Sequence, residues 1–347
     1  MNIISVYSES DFETKIMFKR SDNVVAVKRN IRKAIYLNET KMQLFCGDKQ
    51  LKDNEYITDY FTSLTYRELP ERSKAENFTI GKRLKSGKFA KIFMGENLLT
   101  KSNIVLKRYN LKPKKIHKIQ PFTSELTNLM NFENYDCEEF VKLDCIFQTL
   151  SHFYIGMEFM ENGSLDAKIP LKPNEIIKYS MQVLNALEFL HGKKIVYRNL
   201  KCSNLLLNAS NDVKLCNFHL SKNLMDFQSQ KVVENRWFTI HINYNWTAPE
   251  VLARSRYDIA ADIWSFGAML IEMRTGKPPY SELSPEKVRS EIQKTKTIEY
   301  DKLSNPSNDL DNVISVCLER NPDLRPKVER IKNLMILISN PTESGNP

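Results

Sequence analysis

Tyr197-Arg198-Asn199-Leu200-Lys201-Cys202-Ser203-Asn204 is the most informative run of residues in the chain. It follows a helical apolar pattern within residues 179–191, where Met181, Leu184, Leu187, Phe189 and Leu190 recur at helix spacing. Thirteen residues beyond Asn204 stands Asn217-Phe218-His219. Asn199 and Asn217 are informative for what they lack. A carboxamide has no basic lone pair with which to take a proton at neutral pH, and it offers a hard cation a neutral oxygen where an anionic one is preferred.

Working outward, the N-terminal side carries Leu84-Lys85-Ser86-Gly87-Lys88-Phe89-Ala90-Lys91-Ile92, then Ile104-Val105-Leu106-Lys107. Eighteen residues after Lys107, Glu125 opens an apolar helical pattern with Leu126, Leu129 and Met130, behind the breaker Pro121. Phe140-Val141-Lys142-Leu143 and the run from Tyr154 to Met160 read as buried strands, and Glu161-Asn162-Gly163-Ser164-Leu165 as a turn. On the C-terminal side come Ala248-Pro249-Glu250, Asp262-Ile263-Trp264-Ser265-Phe266-Gly267 with an apolar run through Met273, and Asn321-Pro322-Asp323-Leu324-Arg325-Pro326.

In this order the landmarks resemble the protein kinase family, with residues 197–204 at the catalytic loop H-R-D-L-K-x-x-N and Asn217-Phe218-His219 at D-F-G. The resemblance implies a bilobal α+β fold over residues 78–340, with a β-rich lobe at 78–158 and a helical lobe at 163–340. It implies that Lys107 pairs with Glu125 and holds the nucleotide phosphates, and that Gly87, Ile92, Val105, Glu158, Met160 and Leu206 border the nucleotide. It puts Asn199 at the position of the general base beside Lys201, and Asn204 and Asn217 at the metal positions. Phe218 and Asp262 become structural residues, Glu250 pairs with Arg325, and Arg198 clamps a phosphate on the activation segment, where Ser229, Thr239 and Tyr244 are acceptors. Met157 would guard the back of the adenine pocket, and Cys216 would line the cleft as a packing residue.

The departures cluster. Asn199 and Asn217 replace both carboxylates of the reaction, His219 replaces a glycine, Ile242-Asn243 replaces Gly-Thr, and Val105 replaces the alanine over the adenine ring. Loss of a general base alone costs about 10²–10⁴ in rate. The expectation is therefore a pseudokinase acting by conformation and docking on other signalling proteins, an active kinase among them. Mg²⁺ binding should fall steeply. For ATP, an occupied and an empty cleft both fit, since Lys107 and Lys201 attract phosphate while Val105, Lys85 and Ala90 crowd the site. A weakly active serine/threonine kinase is the competing expectation.

Residues 1–70 form a unit of their own. Ile4 and Val6, then Ile16 and Phe18, alternate with polar neighbours as a hairpin would. Ser21-Asp22 caps a basic amphipathic helix with Val24, Val27 and Ile31 on its apolar side. The segments 42–47, 49–53 and 57–60 resemble the second half of ubiquitin, which implies a β-grasp domain. Leu44 would centre a docking surface for ubiquitin-pathway proteins, the third functional expectation, although Gln43 stands where that family has leucine. Residues 71–77 read as a linker and the polar tail 341–347 as disordered.

Composition narrows the class. The 347 residues are 41% hydrophobic and carry a formal charge of +9, with 51 Lys and Arg interspersed among 42 Asp and Glu, so neither nucleic acid nor a membrane surface is expected as partner. No basic region followed by an apolar run opens the sequence, and no window reaches the length of a membrane helix. The six cysteines have no metal-ligand spacing, and reduced cytoplasmic thiols are expected.

Overall fold

Ile4 and Ile16, spaced as partners on a hairpin, lie directly opposite each other where β1 (Asn2–Ser8) pairs antiparallel with β2 (Glu13–Phe18). The computed structural model describes residues 2–8, 13–18, 42–46, 49–50, 63–68, 75–87, 90–110, 125, 137–149, 152–224, 243–253, 255, 257–294, 298 and 309–339. β3 (Met42–Cys46), β4 (Lys49–Gln50) and β5 (Ser63–Glu68) complete a sheet of order β2-β1-β5-β3-β4. β5 runs parallel to β1 and antiparallel to β3. The helix expected after Ser21-Asp22 lies outside the described residues, as does the tail.

Ala75–Asn77 corrects the linker boundary. These residues form a 3-10 turn in which the Asn77 carbonyl accepts from Leu98 N–H at 2.8 Å and Ala75 packs on a buried core. That core belongs to an antiparallel sheet of order β6 (Phe78–Ser86), β7 (Lys91–Asn97), β8 (Ser102–Asn110), β10 (His152–Glu158), β9 (Leu143–Gln148). Phe78, Phe147 and Tyr154 stack in series, with ring centroids 4.8 and 4.6 Å apart, beside Phe93, Ile104 and Leu106.

The described residues fall into two units, with residues 137–142 belonging to the second although they precede β9. The first strand expected from Phe140-Val141-Lys142-Leu143 is thus redrawn. β9 begins only at Leu143, while Phe140 bridges Leu215 and Val141 N–H donates to the Leu215 carbonyl at 2.9 Å. The β-rich block read as 78–158 is interrupted there, because Phe140 finds its apolar contacts on Phe189 and Phe218 in the second unit.

α1 (Pro173–Gly192) starts earlier than the apolar pattern alone indicates, with Pro173 in its first turn and Glu175 reaching back to Lys172 N–H at 3.1 Å. Short pieces follow: β11 (Ile195–Val196), β12 (Leu205–Leu207), β13 (Val213–Leu215) and β14 (Lys222–Asn223), then α2 (Pro249–Leu252). α3 (Ala260–Thr275) is buried around nearly its whole circumference, as its mainly apolar composition requires, and Asp262, Ser265 and Glu272 are buried with it. Gly276 ends it in the left-handed region, with its N–H on the Glu272 carbonyl. α4 (Pro285–Lys294) packs against α2, α5 (Asp309–Cys317) against α3, and α6 (Val328–Ser339) against α1 and α5. A Cβ at Gly267 would lie 2.9 Å from Cys317 Cβ, so glycine sets how closely α3 and α5 approach.

Among the described residues no helix is long and apolar enough to cross a membrane, and no cluster of three metal-ligating side chains occurs. Cys137, Cys145, Cys202, Cys216 and Cys317 are all buried and unbridged. Burial pushes the thiols of Cys145, Cys202 and Cys317 above their ordinary range.

Candidate functional site

The candidate residues divide between the two units. In the first, Ile92 lies opposite Lys107, and Val105 lies opposite both Met94 and Met157. Residues directly opposite in a sheet share a face, so Ile92, Val105, Lys107 and Met157 line one side. Lys107 is 6% exposed, and its ammonium contacts Oε1 of Glu125, which is helical and 1% exposed. The other carboxylate oxygen accepts from the Tyr109 hydroxyl at 2.5 Å. Burial, and then the Glu125 charge, hold that hydroxyl well above its ordinary pKa. Gly87 is exposed and donates to the Ala90 carbonyl at 2.8 Å, and half-buried Glu158 ends β10 opposite Ile104.

In the second unit, Met160 is buried and Leu206 is half-buried on β12. The loop after β11 is held from below by Asp262. This fully buried carboxylate accepts from Tyr197 N–H and Arg198 N–H at 2.8 Å each, and His191 Nε2 lies 3.0 Å away. Three polar contacts compensate its burial. With its backbone fixed this way, Arg198 takes the left-handed φ of 63°. Its side chain donates to the Leu220 carbonyl at 2.6 Å and to the Tyr257 hydroxyl at 2.5 Å. Of the candidate phosphate acceptors, Tyr244 lies in a 3-10 turn, while Ser229 and Thr239 lie outside the described residues. Tyr197 turns its hydroxyl to the Cys216 carbonyl and its ring edge to Phe218, 5.5 Å between centroids.

Above Asp262 lie the amides. Asn199 Nδ2 donates to the Asn217 carbonyl at 3.1 Å, Asn217 Nδ2 to Asn204 Oδ1 at 2.7 Å, and Asn204 Nδ2 to the Asn199 carbonyl at 2.6 Å. The three links close on themselves. A fourth enters from outside, where Asn243 Nδ2 donates to Asn199 Oδ1 at 3.1 Å and Lys201 Nζ donates to Asn243 Oδ1 at 3.4 Å. Asn217 sits in the left-handed region with φ 63° and ψ 55°, which asparagine tolerates better than most residues. These residues do not fit Mg²⁺. Both side-chain oxygens are neutral, and the Asn204 oxygen already accepts from Asn217.

Two further anchors complete the surroundings. Glu272 on α3, 5% exposed, accepts on one oxygen from Cys202 N–H at 3.0 Å and Trp246 Nε1–H at 2.8 Å; burial pushes its carboxyl upward. Arg325 forks onto Glu250 at 2.7 and 2.8 Å, and also donates to the carbonyls of Glu319, Ala260 and Arg320. Tyr109 and Glu272 were not singled out from the sequence. Tyr109 was within reach of it, since a residue two beyond Lys107 on a strand points the same way.

A family model described as protein kinase domain matches residues 78–335. "Serine/threonine-protein kinase pak-2" of Caenorhabditis elegans is 30% identical over 247 residues, covering 70% of this chain and 45% of that protein. "Serine/threonine-protein kinase 10-A" of Xenopus laevis is 31% identical over 258 residues, 72% of this chain and 26% of that protein. "Cell division control protein 7" of Schizosaccharomyces pombe is 28% identical over 278 residues, 78% of this chain and 25% of that protein. The chain thus spans less than half the length of these relatives.

Proposed function

Because the chain belongs to the protein kinase family, we propose that it is a pseudokinase, a signalling module that acts by conformation and docking on other signalling proteins in the cytoplasm. The observation that carries this is the state of Asn199. Where the reaction needs a base to orient and deprotonate a hydroxyl, there is an amide whose oxygen accepts from Asn243 and whose nitrogen donates to Asn217. The amide at Asn217 adds to it, since phosphoryl transfer depends on cations to spread the phosphate charge. Nucleotide binding is a separate property of the same domain. The Lys107–Glu125 pair supports ATP as the ligand to try first.

The competing reading, a weak serine/threonine kinase, is favoured by that same Lys107–Glu125 pair and by relatives named as serine/threonine-protein kinases. Transfer of labelled phosphate from ATP to a general protein substrate, in the full chain and in Lys107→Arg, separates them. The pseudokinase reading expects no incorporation above background in either. Incorporation lost in K107R would replace it with the kinase reading. A thermal-shift titration adds the ligand: a midpoint raised by ATP without Mg²⁺ fits a nucleotide-stabilised switch, by mass action.

For the N-terminal module, we read the sheet as β-grasp, ubiquitin-like. Its support is the parallel β1–β5 pair at the centre with the β1–β2 hairpin on one side. Leu44 is on β3, and Leu44→Ala in the full chain tests recruitment. Capture by an immobilised ubiquitin-receptor domain that survives this change removes the proposed surface.

A further inference from the structure

We propose that Asn199, Asn204, Asn217 and Asn243 form a cation-free amide clamp, which fastens the two loops of the site to each other where carboxylates would need a metal ion between them. The inference rests on reading this loop as non-catalytic, but it concerns stability, so the two can fail separately.

Every link in the clamp uses an N–H that a carboxylate lacks. Asn199 is 4% exposed, and its Nδ2 faces the Asn217 carbonyl at 3.1 Å. An aspartate there would set two oxygens against each other in a buried site and leave that carbonyl without this donor. At 217 the conflict is closer, since the atom replaced stands 2.7 Å from Asn204 Oδ1. Asn204 is itself 4% exposed and turns its nitrogen the other way, to the Asn199 carbonyl at 2.6 Å. Flipping Asn204 to relieve an aspartate at 217 would therefore break the link to residue 199. One link joins two side-chain amides, Asn217 to Asn204, and Asn204 passes that polarisation on to the Asn199 backbone carbonyl; the link from Asn199 ends on the backbone carbonyl of Asn217. Asn243 extends the clamp to the segment before α2, and Lys201 supplies a positive donor at its far end. The two asparagines that differ from the kinase pattern at 199 and 217 thus act as a matched set. Asn199 donates to the backbone carbonyl of Asn217, and Asn217 donates to the Asn204 that holds the Asn199 carbonyl.

The test is thermal unfolding of the purified full chain, of Asn217→Asp and of Asn199→Asp, in chelator and in millimolar Mg²⁺. The clamp expects no shift of the unsubstituted chain on adding Mg²⁺ alone. It expects each aspartate variant to melt about 3–8 °C lower in chelator, the range for one or two buried polar groups left opposed in a domain of this size. Mg²⁺ should restore part of the loss in N217D. Lowering the pH towards the carboxylic range should restore it too, because a protonated acid donates as the amide did. A rise of the unsubstituted chain's midpoint on adding Mg²⁺, or aspartate variants that melt at or above it in chelator, would overturn the proposal. Should the aspartate variants fail to fold, the unsubstituted chain labelled with ¹⁵N-asparagine still decides. The clamp expects side-chain amide protons of Asn199, Asn204 and Asn217 that exchange at least tenfold more slowly than those of exposed asparagines. Equal exchange rates would reject it.

Discussion

Two buried polar groups, one in each unit, solve the same problem by opposite means. Around Glu125 the charge is kept and answered, with an ammonium on one carboxylate oxygen and a phenol on the other. Around Asn199 the charge is gone, and amides answer one another. An ionic group held by designated partners is fragile to the loss of any one of them, because what remains is a buried charge. A neutral network loses a hydrogen bond and little more, unless a charge is put into it. The comparison therefore separates how much each region can be altered, and in which direction.

The largest effect should come from the most heavily committed charge. Arg325→Met strands the Glu250 carboxylate and three carbonyls, and urea unfolding should show a loss of about 3–5 kcal/mol. A loss under about 1 kcal/mol would break the claim that ionic sites are the fragile ones. Lys107→Met leaves Glu125 with Tyr109, and we expect about 3 kcal/mol, read as a lowered urea midpoint at unchanged slope. Tyr109→Phe removes one hydrogen bond to a charged acceptor and should cost about 1.5–3 kcal/mol. It should add less than its full value in a K107M background, since the two share Glu125.

Glu272→Gln gives the smallest expected change and the sharpest test. Glu272 is a carboxylate answered mainly by neutral N–H groups, and one oxygen takes both. Glutamine keeps that oxygen, so the midpoint should move by less than about 1 kcal/mol equivalent at low pH. The pH dependence should differ. Burial raises the Glu272 pKa on folding, so the proton is held more tightly in the folded state. The stability this confers is fully present below the ordinary glutamate value of about 4.3 and is lost as the pH climbs through the raised one. The midpoint of E272Q minus that of the unsubstituted chain should grow over that window. A flat difference would show that Glu272 ionises without cost.

Much of this architecture was legible because it is local. The helical pattern leading to residues 197–204 and the alternation of Ile4 with Val6 are short-range periodicities, while the pairing of Lys107 with Glu125 was implied by the resemblance to the kinase family. What escaped depends on contacts between distant residues. Glu272 meets Cys202 seventy positions away, and Asn243 meets Asn199 across forty-four. Nothing in the neighbourhood of either residue signals a partner. Phe140-Val141-Lys142-Leu143 was read as a strand because its composition is strand-like, yet composition does not say which partner is joined, and Phe140 and Val141 meet Leu215. The polar run read as a linker ended too late for a related reason: a single alanine, Ala75, was enough to tie its end to the core.

The buried thiols give the molecule internal reporters. A thiol reacts as its thiolate, and Cys145 in the first unit and Cys202 and Cys317 in the second are both enclosed and held protonated. An alkylating reagent can modify them only after the surrounding structure opens, so each labelling rate measures the free energy of an opening event. Cys145 then clocks one unit and Cys317 the other, in a single sample of the unaltered chain. A ligand that fastens one unit alone would slow one clock and leave the other running.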